Sequence, residues 1–157
     1  MGKEISRIAK GEFHVGDDTA VLRIRRLQAA FRSVVLDCYG HRCCMCDVDV
    51  DALLTAGHII PWSHDRSNRL NPRNGLCLCA LHDRAFDRGL ISLSDDFKVI
   101  VSDELDSSDS VTVARQFQDI EGRPLRAPSR FPPDRIFLEF HRSRIFRRRR
   151  MRQALAT

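Results

Sequence analysis

RCCMC (Arg42 to Cys46), AGHIIPWS (Ala56 to Ser63) and RNGLCLCALHDRAFD (Arg73 to Asp87) are the segments whose reading decides how this chain folds. Cys43 and Cys46 stand three apart, and Cys79 and His82 repeat that spacing. A tetrahedral zinc ion takes four thiolate or imidazole ligands, and two turns that each offer residues three apart supply them. One such pair could be redox-active or accidental. Two, separated by the length of a β-hairpin, point to a structural Cys3His zinc that couples metal binding to folding. Cys44 could replace Cys43 and Cys77 could replace Cys79, at the expense of the two-residue gap, and His58 could complete the tetrahedron in place of His82.

All six cysteines, at 38, 43, 44, 46, 77 and 79, could instead form three disulfides. The start, MGKEISRIAKGEFH, lacks the apolar core of a secretory signal, and no apolar run reaches the length of a membrane span. That places the chain in the cytoplasm, away from any membrane, where metal ligation is the better account of the paired cysteines. Cys38, Cys44 and Cys77 then read as free core thiols.

With 157 residues the chain has room for one domain, 1–157, and 43% apolar content suits a globular protein. Its net charge of +5 is concentrated at one end: seven arginines lie between Arg142 and Arg152, with no acidic residue after Glu139. Taking those 7 from the 26 basic residues leaves 19 against 21 acidic ones, so the rest is nearly neutral. The cluster Arg147, Arg148, Arg149 and Arg150 within the tail 142–157 is the basic footprint of a nucleic-acid partner.

Residues 1 to about 17 carry no clear element. From Thr19, Leu22, Leu27, Phe31, Val34, Val35 and Cys38 fall at helical spacing and predict a helix ending at Tyr39-Gly40. Its Arg23, Arg25, Arg26 and Arg32 read as an ordinary solvated face. Ala52-Leu53-Leu54 and His58-Ile59-Ile60, within Val48 to Ile60, read as a β-hairpin or its approach, closed by Pro61. Ser63 to Asn74 is rich in turn formers and reads as a loop. Leu76 to about Asp87 reads as a compact helix stopped near Gly89, and Leu90 to Leu93 with Phe97 to Val101 as a second hairpin. Ser102 to Ser110 reads as an acidic surface loop, and Val111 to Gln118 suits strand or helix equally. After a connector from Glu121 to Pro133, a last helix should dock through Ile136, Phe137, Phe140 and Ile145.

The order and spacing of the three quoted segments resemble the HNH endonucleases, most strongly over residues 38–101. The ending RFPPDRIFLEFHRSRIF also looks like that of small bacterial HNH proteins. The resemblance implies an α+β fold: a ββα-metal core with zinc-stapled knuckles, flanked by an N-terminal helix, a second β-hairpin and a C-terminal helix. It also implies a metal-dependent DNA endonuclease that hydrolyses phosphodiester bonds, in restriction or other defence against foreign DNA.

On its own His58 is an ordinary packed or surface histidine. In the family that GHIIPWS resembles, the histidine before I-x-P is the general base, and an asparagine opening the following helix, here Asn74, fastens the loop that carries it. The metal ligand expected nine residues beyond that asparagine is Asp83, with Asp87 four further on. Two carboxylates four apart share one helix face, as a hard ion such as Mg2+ or Mn2+ requires. Carboxylate at Asp83, where the family commonly has histidine, favours those ions over softer ones. Arg73, Arg84 and Arg88 are candidate phosphate clamps. Gly57 departs from the pattern, since the residue before the base usually supplies a ligand. Asp87, water or the substrate phosphate would then complete the coordination sphere, or His64 or Asp65 would fold back from the loop, or catalysis would be weakened or lost.

A non-catalytic zinc module that binds nucleic acid or protein is therefore the rival reading, with Gly57 as its best argument. An Arg-rich RNA-binding protein would rest on charge alone. A homodimer would make double-strand cleavage natural, although no feature of the sequence demands one.

Overall fold

The computed structural model describes residues 19–147, so the expectations for residues 1–17 and for Arg148, Arg149 and Arg150 fall outside the described residues. The first described element is helix α1, Thr19–Cys38, which contains neither proline nor glycine. It closes through a left-handed turn, with Gly40 at φ 60° and His41 at φ 54°, and the His41 N–H donates to the Leu36 carbonyl at 2.9 Å. Only its second half is anchored: Phe31, Val35, Leu36 and Cys38 are buried. The expected apolar stripe is corrected at Leu22, Leu27 and Val34, each 37% exposed, because no described element lies across them.

Strand β1, Leu54–His58, pairs antiparallel with β2, Gly75–Cys79, and helix α2, Ala80–Asp87, follows β2 without a break. The register sets Leu54 against Cys79 and His58 against Gly75. This corrects two expectations. The partner of β1 is not in Val48 to Ile60 but lies beyond the excursion 59–74, and the first four residues of the expected helix, Leu76 to Cys79, belong to that strand. Gly75-Leu-Cys-Leu-Cys79 is buried at every position, because α1 packs on one face of the two-stranded sheet and α2 on the other. A strand covered on both faces loses the alternation that would distinguish it from a buried helix.

Gly75 makes the α1 contact close. A Cβ there would stand 2.6 Å from Val35 Cγ2 and 2.9 Å from Phe31 Cζ. The bare backbone lets α1 settle onto β2, and Phe31 is thereby delivered beneath β1.

The second hairpin forms as expected, from β3 (Ile91–Leu93) and β4 (Val99–Val101). Val111–Gln116 resolves as helix α3, capped by the Ser110 hydroxyl. Helix α4, Arg135–Arg144, starts where the Asp134 carboxylate accepts from the Ile136 N–H at 2.9 Å, and it packs on β3. Its buried face is Phe137, Leu138 and His141, while Ile136 is 71% exposed, so the expected stripe is rotated. His141 supplies the reason. Its Nε2–H donates to the Phe86 carbonyl at 3.1 Å, its Nδ1 accepts from the Ser92 hydroxyl at 2.8 Å, and its ring stacks on Phe86. A histidine with both ring nitrogens satisfied can be buried where a hydropathy pattern would leave it outside. Among the described residues, no helix is long and apolar enough to cross a membrane.

Candidate active site and metal centre

Cys43 and Cys46 lie on a turn held to the sheet by the Cys44 N–H, which donates to the Cys77 carbonyl at 2.8 Å, while the Cys43 N–H closes on Val48 O at 2.8 Å. Cys79 caps α2, and His82 occupies its first turn. The four side chains converge: Cys46 Sγ is 3.8 Å from Cys79 Sγ, and His82 Nδ1 is 3.2 Å from Cys79 Sγ and 3.6 Å from Cys43 Sγ. A tetrahedron with Zn–S bonds of about 2.3 Å and Zn–N bonds of about 2.0–2.1 Å has edges of roughly 3.5–3.8 Å. The cluster fits that ion. Among the described residues, it is the group of metal-ligating side chains whose ligand atoms all lie within 4.8 Å of one another. His82 Nε2–H donates to the Gln116 carbonyl at 2.8 Å, which fixes the tautomer and leaves Nδ1 for an ion. The neighbouring thiols of Cys43 and Cys46 hold the Cys79 thiol below its ordinary range against the opposing effect of burial. All six cysteines are free thiols; Cys38, Cys44 and Cys77 are buried outside the cluster.

His58 lies at the other end of β1. Its Nε2–H donates to the Arg69 carbonyl at 2.8 Å, so the neutral ring presents Nδ1 as its acceptor. The ring stacks on Phe31 at 4.3 Å between centroids with an 11° tilt and meets the Trp62 edge at 5.7 Å. Arg69 in turn lies over the Trp62 ring at 4.7 Å and donates from Nε to the Trp62 carbonyl at 2.8 Å. The excursion 59–74 is therefore wrapped around the imidazole.

Asn74 closes that excursion. It is buried, its Oδ1 accepts from the Ile60 N–H at 2.8 Å, and its Nδ2 donates to the carbonyls of Ile60 and Asn68, each at 3.2 Å. Three bonds from one amide tie both ends of the segment that follows His58.

Asp83, on α2, comes to the strand from the Gly57 and Thr55 side, near enough to His58 to interact with it electrostatically. A Cβ on Gly57 would stand 2.6 Å from Asp83 Oδ1, so the carboxylate takes the room that any larger residue would fill. Burial raises the Asp83 pKa above the ordinary range; the adjacent Thr55 hydroxyl and His58 offset part of that rise, while Asp87 adds to it. Thr55 Oγ1 is nonetheless buried without a partner in hydrogen-bonding geometry. Asp87, more exposed, is also raised by desolvation and is pulled down by Arg84, His58 and Arg88. Two carboxylates four apart on α2, both shifted up by desolvation, beside the Thr55 hydroxyl suit a hard cation. His58, Asp83 and Asp87 do not close to the 4.8 Å spacing of the Cys3His cluster. A cation there would draw part of its coordination sphere from water or substrate.

Arg73, Arg84 and Arg88 are exposed, with Arg73 directed to the Pro132 carbonyl at 3.4 Å. Arg147 pairs with Glu104 at 3.5 Å. His64 and Asp65 are occupied locally: His64 with the Ser63 hydroxyl at 3.1 Å, and Asp65 with the N–H groups of Ser67 and Asn68 and the Asn68 amide. The sequence reading missed Phe31, Trp62, Arg69 and Thr55. Trp62 could have been suspected from its place beside I-x-P, whereas Arg69 lies further along the loop and Phe31 arrives from a helix with no sequence link to the motif.

Comparison with known proteins agrees with this arrangement. Residues 43–94 match the family model described as HNH endonuclease. No curated protein matches. Among solved structures, one described as a modification dependent TagI restriction endonuclease is similar at a TM-score of 0.55 and 26% identity, over 74% of this chain and 38% of that one. This chain thus spans well under half the length of that neighbour. By the match over both knuckles, the His58 strand and α2, residues 43–94 are identified as an HNH endonuclease family segment.

Proposed function

We propose that the chain is a metal-dependent DNA endonuclease of the restriction type, built on a ββα-metal core and acting in the cytoplasm. The observation that carries this reading is the tethering of His58. Arg69 O receives its Nε2–H, Phe31 and Trp62 fix its ring plane, and Nδ1 is left to accept a proton. His58 Nδ1 takes a proton from water as the water oxygen bonds to phosphorus. The phosphorus to 3′ oxygen bond breaks, and a solvent water gives that oxygen its proton, leaving 5′-phosphate and 3′-hydroxyl ends. The Arg69 carbonyl steadies the imidazolium that forms.

Asp83 and Asp87 would hold the divalent ion, Mg2+ or Mn2+, which supplies positive charge for the departing oxygen. Asn74 keeps the loop that positions His58. Arg73, Arg84 and Arg88 line the approach as phosphate contacts, with Arg147, Arg148, Arg149 and Arg150 adding sequence-independent attraction. The Cys3His cluster holds zinc as a scaffold and takes no part in bond breaking.

The test is conversion of supercoiled plasmid by zinc-loaded protein in Mg2+ or Mn2+. Because the structural neighbour is described as modification dependent, modified and unmodified plasmid are compared. Nicked or linear product that requires the added cation supports the reading. Intact plasmid under every condition would return the chain to a non-catalytic zinc module.

A further inference from the structure

A concavity of about 620 Å3 opens beside the Cys3His cluster, between the knuckle residues 44–47 and the segment 115–126. Arg115, Arg123 and Arg126 line it, and all three are exposed. Among the described residues, no carboxylate pairs with any of their guanidinium groups. Asp47 is the one acidic side chain in the lining, and Val99 and Ile120 give it an apolar floor. Three cations gathered around one hollow with a single opposing carboxylate repel each other unless an anion joins them. Guanidinium groups meet phosphate with paired, directional hydrogen bonds, so a phosphate-bearing ligand fits this lining best.

The hollow is separate from the His58 site. Leu54 and Cys79 pair at one end of the β1–β2 ladder and His58 and Gly75 at the other. Four residues of strand span about 13 Å, and the hollow lies on the Cys46 side of the cluster.

We infer that the Arg115–Arg123–Arg126 hollow is a second phosphate-backbone contact, which seats the DNA backbone away from the cleaved bond. The inference rests on the nuclease reading and adds to it a binding residue set with no role in bond breaking. The hollow is coupled to the metal centre: Cys46 lines it, and Gln116, whose carbonyl orients His82, lies in its wall. An ion held by the cluster would therefore bear on the hollow as well as on the fold.

The experiment is fluorescence anisotropy of a labelled 20-base-pair duplex with zinc-loaded full-length protein, without Mg2+ or Mn2+ so that nothing is cut, across a series of salt concentrations. Each phosphate neutralised contributes about −0.9 to the slope of log K against log salt. Arg115→Gln/Arg123→Gln/Arg126→Gln should bind more weakly, with a slope shallower by about 2 to 3, and each single variant should lose about 1. Asp47→Asn should bind more tightly. If the wild type binds but the triple and single variants keep its affinity and slope, the inference is overturned. A wild type that neither binds duplex nor cuts plasmid would overturn the nuclease reading itself. Should the triple variant fail to retain zinc, the three single variants decide the matter.

Discussion

Asp83 lays its carboxylate over the bare α-carbon of Gly57, with Oδ1 2.6 Å from where a Cβ would stand. The family-typical ligand position and the helix carboxylate thus compete for one volume. In this chain the helix carboxylate occupies it, which gives the missing side chain at position 57 a structural counterpart.

Gly57→Ala should displace Asp83 rather than unfold the protein, because the nearest obstacle is the free end of a side chain. Stability should change by about 1 kcal/mol or less, while cleavage falls severalfold. In an Asp83→Ala background the same glycine substitution should have little further effect on cleavage. A double-mutant cycle on cleavage rate measures that coupling, and additive losses would separate the two residues.

Asn74→Ala leaves the buried Ile60 N–H without its acceptor and frees both ends of the loop around His58. The expected cost is about 2–3 kcal/mol by urea denaturation, in line with an orphaned buried donor. Asn74→Asp keeps the acceptor for the Ile60 N–H but turns a buried carboxylate oxygen toward the Ile60 and Asn68 carbonyls, and should cost at least as much.

Removal of the scaffold ion should be felt first in folding. Prolonged chelation, or Cys79→Ser, should abolish the cooperative unfolding transition, and metal analysis of protein prepared without chelator should find about one zinc per chain. A chelated protein with an unchanged melting temperature would contradict the structural role of the cluster.

His141 sets a pH dependence on stability. Burial pushes its pKa down from 6.5 to about 4, partly opposed by its bond to Phe86. The unfolded chain therefore binds the proton more tightly than the folded one between those values. Its contribution to stability is full above pH 6.5 and is lost as the pH falls toward 4, about 3 kcal/mol in all, of which about 2 is gone by pH 5. Comparing the loss of stability from pH 7 to pH 5 in wild type and in His141→Gln isolates this contribution from the acid sensitivity of the metal centre. Parallel curves would contradict it.

The knuckles were legible because metal geometry restricts spacing: residues three apart on a turn are close enough to share an ion, and the structure brings Cys43, Cys46, Cys79 and His82 together. Strand β2 was not legible. Leu76, Cys77 and Leu78 are fully buried between two helices, and an uninterrupted apolar run carries neither period. Its partner was misplaced for a related reason, since the pairing skips the whole excursion 59–74, whose turn-rich residues are organised by Asn74 rather than by a tight hairpin turn. The phase of α4 was lost because His141 behaves as a core residue once Ser92 and the Phe86 carbonyl satisfy it. The hollow lined by Arg115, Arg123 and Arg126 was likewise hidden, being assembled from segments about 70 residues apart in sequence.

The central claim is that the Nδ1 of a tethered His58 removes the proton from the attacking water. His58→Ala, prepared with the same zinc content and melting temperature as wild type, should nick plasmid at least about 100-fold more slowly in Mg2+. Nicking by that variant at the wild-type rate would contradict the account.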